Sequence, residues 1–245
     1  MRVIGVIVFY LVAALTASLC IESNILASLV ADVFVILAVG RLYKQKIGDM
    51  DRRYTALPKS MLFLGVFITW IISTITLTWL AIQWPDLFGE RVKDTMSDSD
   101  AGIYLMLTIL VAPIAEELVF RGVVFRYMAV RMSTVWAYLL SSFLFAVFHM
   151  SIPHLYGAVA TGLLFVLVYD WTGSIKSSIF AHMLYNLLSV VLSGVAIVPD
   201  WCCSLPVVVA MNLLYLFAFC IISIKIESHR FSYLDKTMKI NPLLR

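Results

Sequence analysis

Two adjacent carboxylates and an arginine lie inside a long apolar run of the chain, in the stretch Ala115-Glu116-Glu117-Leu118-Val119-Phe120-Arg121. The chain has 245 residues, of which 62% are hydrophobic and only 13% are charged, and its mean hydropathy is +0.97. A soluble domain is about half apolar and about a quarter charged. The composition therefore predicts an all-α polytopic membrane protein that forms a single integral membrane domain over residues 1–245.

Apolar runs of membrane-spanning length recur along the chain, since a spanning helix needs about 20 apolar residues. Eight transmembrane helices are predicted, at residues 3–21, 25–40, 60–83, 101–127, 134–150, 154–169, 177–198 and 207–224. The first run is longer than a signal-peptide core, and we expect it to be a retained helix. Basic residues dominate the loop 41–59 and the C-terminal tail, whereas acidic residues dominate the loop 85–100. Because basic loops stay inside, both termini are predicted to be cytoplasmic, in a cell membrane that we expect to be a bacterial plasma membrane.

The cysteines and the basic residues argue against two other kinds of site. The four cysteines contain no CxxC pair, which argues against a zinc–thiolate site. A disulfide between Cys20 and either Cys202 or Cys203 stays open. The basic residues form no stripe on a helix face, so no nucleic-acid partner is predicted.

Polar side chains are concentrated in the later helices. They are Glu116, Glu117 and Arg121 in the fourth helix, His149 in the fifth, and His182 and Asn186 in the seventh. An ionised group near the bilayer centre is costly unless it is paired or hydrated, so these helices are predicted to enclose a polar cavity that water can reach. Asp32, in the second helix, is a further functional candidate, although a structural polar contact is the more frequent role for such a residue.

Helical spacing separates the two glutamates. Glu117 precedes Arg121 by four residues, which is the favourable order for an ion pair on one helix face. Glu116 lies about 100° round the helix from Glu117, so it is left free to act as a general base. The alternative is that all three charges form a structural ion network between helices.

The seventh helix carries a pair of polar residues that suits a different role. His182 and Asn186 are also four residues apart, and an imidazole beside an amide can present hydrogen-bond donors to a developing oxyanion. Taken singly, each histidine is more often a buried hydrogen-bonding residue than a catalytic one.

Three motifs together resemble those of the CAAX prenyl protease and bacteriocin-processing family, also called Abi proteins. They are Glu116-Glu117-xxx-Arg121, Phe145-xxx-His149 and His182-xxx-Asn186, in the order that the family has. The resemblance implies an intramembrane endopeptidase with its catalytic core at residues 101–198. It also implies that Glu116 and His149 activate a water, that His182 and Asn186 stabilise the oxyanion, and that Glu117 and Arg121 orient the site.

The sequence leaves alternatives to this interpretation. Two histidines and a glutamate are also a recognised zinc set, but His182-xxx-Asn186 fits an oxyanion pair better, so no metal or other cofactor is predicted and zinc is the less favoured alternative. The predicted partners are the lipid bilayer and a peptide or lipidated-protein substrate. A non-catalytic immunity or regulatory protein of the bacteriocin self-immunity type is the second hypothesis. A transporter is disfavoured because the chain shows no internal repeat, and the oligomeric state stays open.

Overall fold

Helices account for nearly all of the secondary structure in the part of the chain that the computed structural model describes, residues 3–21, 23–44, 58–88, 98–149, 152–192 and 198–240, and no strand occurs there. Eight principal helices are found in these ranges: α1 Val3–Cys20, α2 Asn24–Leu42, α3 Lys59–Gln83, α4 residues 98–129, α5 Thr134–Phe148, α6 Ile152–Thr172, α7 Ile175–Leu192 and α8 Leu205–Ile240. A single turn at Pro85–Phe88 and a 3₁₀ turn at Asp200–Cys203 complete the described structure.

The fold class predicted from composition is confirmed. Among the described residues, six helices are long and apolar enough to cross a membrane, and two shorter apolar helices lie at Gly5–Cys20 and Thr134–Phe148. The surface carries large apolar side chains such as Leu19, Leu37 and Leu214, each more than 60% exposed. Such a surface suits lipid and would be a liability in water. The protein is therefore an all-α polytopic membrane bundle, while the cytoplasmic location of its termini stays a prediction.

Helix α6 ends later than the sequence predicts. The polar residues from Asp170 onward suggested a turn, but the helix continues to Thr172 and Asp170 is buried, accepting a hydrogen bond from the Tyr138 hydroxyl. Gly173 follows with φ 66°, the left-handed conformation that glycine adopts most easily at the end of a helix. Asp170 is thus part of a buried polar contact between α5 and α6.

Helix α4 contains two wider, π-helical segments on either side of the glutamates. Leu107–Val111 precedes the α-helical stretch Ala112–Val119, and Phe120–Phe125 follows it. Pro113 cannot donate a backbone hydrogen bond, and its ring crowds the preceding turn of an α-helix. The wide turn just before it relieves that conflict, and π-helical turns of this kind are frequent at functional sites.

Small residues bring the helices around the site close together. A Cβ added at Gly162 on α6 would lie 3.0 Å from Cβ and 3.1 Å from Cα of Ser142 on α5. Because only a glycine leaves room for that approach, α5 and α6 pack backbone to backbone at this point, as small residues allow in membrane bundles. Phe145 of α5 lies beside this contact, with its ring against Phe120 of α4 and Phe165 of α6.

The four cysteines are free. Cys202 is buried, Cys203 is half-buried, and Cys20 and Cys220 are exposed. The disulfide that the sequence left open between Cys20 and the 202–203 pair is not present.

Candidate active site

Glu117 is the centre of a buried hydrogen-bonding group and is 0% exposed. Its Oε1 lies 3.0 Å from Nη1 of Arg121 and 3.0 Å from Nδ1 of His182. Its Oε2 accepts a hydrogen bond from the Ser178 hydroxyl. The ion pair that the four-residue spacing predicts is thus present, and α7 adds two more partners to the same carboxylate.

Arg121 is almost completely buried, with 1% of it exposed, and three helices contribute to its contacts. Besides Glu117, its Nη2 donates a hydrogen bond of 3.0 Å to the carbonyl of Gly162 on α6. Its guanidinium carbon lies 4.4 Å from the ring centre of Phe145 and 5.4 Å from that of Phe165. A desolvated cation over an aromatic face is attracted to the ring, so contacts with α5 and α6 stabilise the guanidinium of this α4 residue.

His182 stands between the two glutamates. Its Nδ1 faces Glu117, which is fully engaged as an acceptor, so Nδ1 carries a proton. Its Nε2 faces Oε2 of Glu116 at 3.8 Å, a distance too long for a direct hydrogen bond. The imidazole stacks on Phe165 with a centroid distance of 4.4 Å and an interplanar angle of 24°. Its orientation is therefore fixed on one edge by a carboxylate and on one face by a ring.

Glu116 differs from its neighbour in having no such set of partners. Its side chain is 15% exposed, and its buried Oε2 has no hydrogen-bond partner among the described residues. A buried acceptor without a partner in a native structure calls for an explanation, and a catalytic role is one. The structure thus separates the two glutamates as the sequence predicts: Glu117 is paired with Arg121, and the buried Oε2 of Glu116 accepts no hydrogen bond from the described residues.

His149 and Asn186 each have a backbone partner. Nδ1 of His149 lies 2.9 Å from the carbonyl of Phe145, and the His149 side chain is exposed. The Phe145 ring contacts both imidazoles, at centroid distances of 4.8 Å to His149 and 5.8 Å to His182. The amide nitrogen of Asn186 donates to the carbonyl of Thr108, inside the first π-helical segment, at 2.8 Å. Nε2 of His149 and the second N–H of Asn186 are left for other partners.

Two residues of this site were missed by sequence reasoning. Ser178 precedes His182 by four residues and Asn186 by eight, so helical spacing alone could have placed it on the same face of α7. Phe165 carries no such signal, because its stacking on His182 depends on how α6 is rotated against α7.

A metal site would need several His, Cys, Asp or Glu side chains close together. No group of three or more His, Cys, Asp or Glu side chains is arranged to hold a metal within the described part of the chain. The described side chains as placed thus form no zinc site, and that the chemistry needs no metal stays a prediction.

Comparison with known proteins finds two matches for the chain. The family model described as "Type II CAAX prenyl endopeptidase Rce1-like" matches residues 99–188. The curated protein named "Putative membrane peptidase YdiL", from Bacillus subtilis (strain 168), is 31% identical over 108 residues, which cover 42% of this chain and 44% of that protein. The match thus spans less than half the length of that relative, and no solved structure matches the chain. The resemblance drawn from the three motifs is confirmed: residues 99–188, which contain every predicted site residue, match the Rce1-like family model of CAAX prenyl endopeptidases.

Proposed function

We propose that the protein is an intramembrane endopeptidase that hydrolyses a peptide bond in a small membrane-associated or lipidated peptide or protein. The observation that carries the proposal is the unpartnered carboxyl oxygen of Glu116, which faces an imidazole that Glu117 and Phe165 hold in place. A general base needs a carboxylate oxygen that other hydrogen bonds do not occupy, and among the described residues this oxygen of Glu116 is one. The family of residues 99–188 supports the same reaction class.

In the proposed reaction, Glu116 takes a proton from a water molecule while the water oxygen bonds to the carbonyl carbon of the substrate. His149 orients that water through Nε2. The carbonyl oxygen becomes an oxyanion, which accepts hydrogen bonds from Asn186 and from His182. Glu116 then gives its proton to the amide nitrogen as the carbon–nitrogen bond breaks.

Glu117 and Arg121 are proposed to hold the catalytic side chains in their positions. The carboxylate of Glu117 accepts a hydrogen bond from Nδ1 of His182 and so holds the imidazole in one orientation, as a buried carboxylate does for a catalytic histidine. Arg121 in turn balances the charge of Glu117, at 3.0 Å, and ties it to α6 through Gly162. The proposed setting is a bacterial plasma membrane, with both termini in the cytoplasm.

The test is the substitution Glu116→Gln, which keeps the shape of the side chain and removes its basicity. We expect peptides that appear in cells carrying the wild type to be missing from cells carrying Glu116→Gln, as measured by mass spectrometry. Glu227→Gln, the same change at a glutamate on α8 and outside the site, is the matched control and should leave the peptides unchanged.

Three results would argue against the proposal. Full cleavage by Glu116→Gln would remove Glu116 as the base. Loss of cleavage on treatment with a strong chelator, reversed by zinc, would favour the metal alternative. A cellular phenotype that survives Glu116→Gln, with no cleavage by the wild type, would favour a bacteriocin-immunity or regulatory protein.

A further inference from the structure

The carbonyl of Thr108, in the first π-helical segment of α4, receives no hydrogen bond from either of its usual helical donors. In an α-helix its donor would be the N–H of Ala112, four residues later, but that N–H bonds to the carbonyl of Leu107. In a π-helix its donor would be the N–H of residue 113, five residues later. Residue 113 is a proline, which has no N–H. The wide turn and the proline together leave this carbonyl to be satisfied from outside the helix.

Asn186 of α7 supplies the missing donor. Its amide nitrogen lies 2.8 Å from the Thr108 oxygen, a normal length for an N–H···O hydrogen bond. A carbonyl oxygen only accepts hydrogen bonds, so the NH2 end of the Asn186 amide faces α4. Backbone carbonyls in a membrane bundle have to find donors within the protein, because lipid tails offer none. The bond therefore satisfies α4 and orients the Asn186 side chain at the same time.

The same bond determines where the second N–H of Asn186 lies. The amide group is planar, so one N–H bonded to Thr108 sets the plane and the direction of the other. The second N–H is the proposed oxyanion donor, and such a donor is most effective when it is held in place before the reaction. His182, one turn earlier on α7, is oriented by Glu117. Both proposed oxyanion residues are thus bonded to α4, one through a carboxylate and the other through a backbone carbonyl.

We propose that Pro113 is a positioning residue of the oxyanion site. Because it has no N–H, it leaves the Thr108 carbonyl open to Asn186 and so holds the Asn186 amide in place for the substrate. This inference rests on the proposed function and adds a residue that none of the three motifs contains. It also gives the wide turn at Leu107–Val111 a role beyond making room for the proline ring.

Two substitutions return the missing N–H. Pro113 is buried, and Pro113→Ala leaves a smaller side chain there, whereas Pro113→Val keeps a volume close to that of proline. In both variants the new N–H competes with Asn186 for the Thr108 carbonyl. Pro206→Ala is the matched control, because Pro206 lies in the first turn of α8, where an N–H has no helical partner.

The primary measurement is the NMR signal of the Asn186 amide, which does not require proteolysis. The chain contains four asparagines, so labelling with isotopic asparagine gives few side-chain signals, and Asn186→Asp identifies the relevant one. In the wild type we expect one Asn186 N–H proton to be shifted downfield and to exchange slowly with solvent. In both Pro113 variants it should move upfield and exchange about tenfold faster, as the loss of one hydrogen bond implies. Pro206→Ala should leave the signal unchanged.

Cleavage and stability supply two further measurements. In both Pro113 variants kcat for a model peptide should fall about tenfold with little change in KM, since removal of a whole oxyanion donor costs about 100-fold to 1,000-fold and here the donor is only displaced. Added to Asn186→Ala, Pro113→Ala should lower kcat no further, because the proline acts through Asn186. The midpoint of unfolding in denaturing detergent should stay the same or rise, because a proline inside a helix removes a hydrogen bond that the variants return. A purely structural proline would give lower stability and an unchanged kcat in the folded protein.

Defined outcomes overturn the inference. An unchanged Asn186 signal in a folded Pro113 variant would refute it. So would a wild type in which both Asn186 N–H protons exchange as fast as those of the exposed Asn24. Failure of both Pro113 variants to fold would also count against it, since a returned N–H should not destabilise α4. A wild type with the expected Asn186 signal and the expected shift in the variants, but with no cleavage, would count against the proposed function and not against the positioning of the amide.

Discussion

Glu117→Gln is expected to destabilise the folded bundle, whereas Glu116→Gln next to it is expected to have little effect on stability. The reason is the charge that each carboxylate balances. Glu117 faces Arg121 at 3.0 Å, and neither side chain is more than 1% exposed. Glutamine at position 117 would leave the guanidinium with the Gly162 carbonyl and two aromatic rings but without a counter-charge.

The magnitude follows from burial. Breaking a buried ion pair by removing one partner costs about 3–5 kcal/mol, because the other charge stays buried and uncompensated. The hydrogen bonds from Ser178 and His182 to a charged acceptor are weakened as well, at about 1.5–3 kcal/mol for each bond that is lost outright. Water that enters the site in the variant would offset part of this, so a loss of about 3–5 kcal/mol in the free energy of unfolding is the expected net effect. The buried Oε2 of Glu116 accepts no hydrogen bond that glutamine would lose, and we expect a change in the free energy of unfolding below about 1 kcal/mol there.

The assay is reversible unfolding in mixed micelles of increasing denaturing-detergent content, followed by far-ultraviolet circular dichroism. The two variants differ by one position in sequence and are identical in chemistry, so each is the control for the other. Equal stabilities for Glu117→Gln and the wild type would refute the idea that Glu117 is ionised and holds Arg121. Double substitution of Glu117 by glutamine and Arg121 by methionine should recover part of the lost stability, because the unpaired charge is then gone.

Three further changes test other contacts. Ser178→Ala removes one hydrogen bond to Glu117 and should lower kcat several-fold at nearly constant KM, which steady-state cleavage of a model peptide would measure; an unchanged kcat would show that Ser178 has no positioning role. Gly162→Ala places a Cβ 3.0 Å from Ser142 and should cost about 1–3 kcal/mol of stability, whereas Gly157→Ala on the same helix, with its nearest neighbour at 3.6 Å, should cost under about 1 kcal/mol; equal unfolding curves would contradict the close approach of α5 and α6. Tyr138→Phe should destabilise the bundle by about 1.5–3 kcal/mol by leaving the buried Asp170 without one of its donors, and an unaffected unfolding curve would argue against that contact.

The helices and the division of the two glutamates could be predicted from sequence because both depend on local spacing. Apolar runs predict where the eight helices lie, and six of them are long enough among the described residues to cross the hydrocarbon layer. The pairing of Glu117 with Arg121 follows from one helical turn on one helix. The end of α6 was missed because the polar residue Asp170, read as part of a turn, is satisfied by Tyr138 from another helix.

The partners that come from other helices could not be predicted in this way. The sequence indicates that His182 and Asn186 share a face of α7, but not that His182 is committed to Glu117 or that Asn186 bonds to the Thr108 carbonyl. Both facts depend on the rotation of α7 against α4 and on the wide turn at Leu107–Val111. Helix rotation is set by packing of small and aromatic side chains, such as Gly162 on Ser142, and this leaves no periodic signal in a uniformly apolar sequence.

The two neighbouring glutamates of the motif have different roles: Glu117 stabilises the bundle, and Glu116 is the proposed base. Glu117 is satisfied three times over, by Arg121, Ser178 and His182, and so joins α4 to α7. Glu116 has the same chemistry one residue earlier and is left with an unpartnered oxygen facing His182. A membrane bundle has little hydrophobic driving force between its helices, so buried polar contacts contribute to holding them together. The ion pair and hydrogen bonds of Glu117 therefore fix the helices around Glu116 and leave the buried oxygen of Glu116 without a hydrogen bond. The structural interpretation of this motif thus applies to Glu117 and Arg121, and the proposed catalytic one to Glu116.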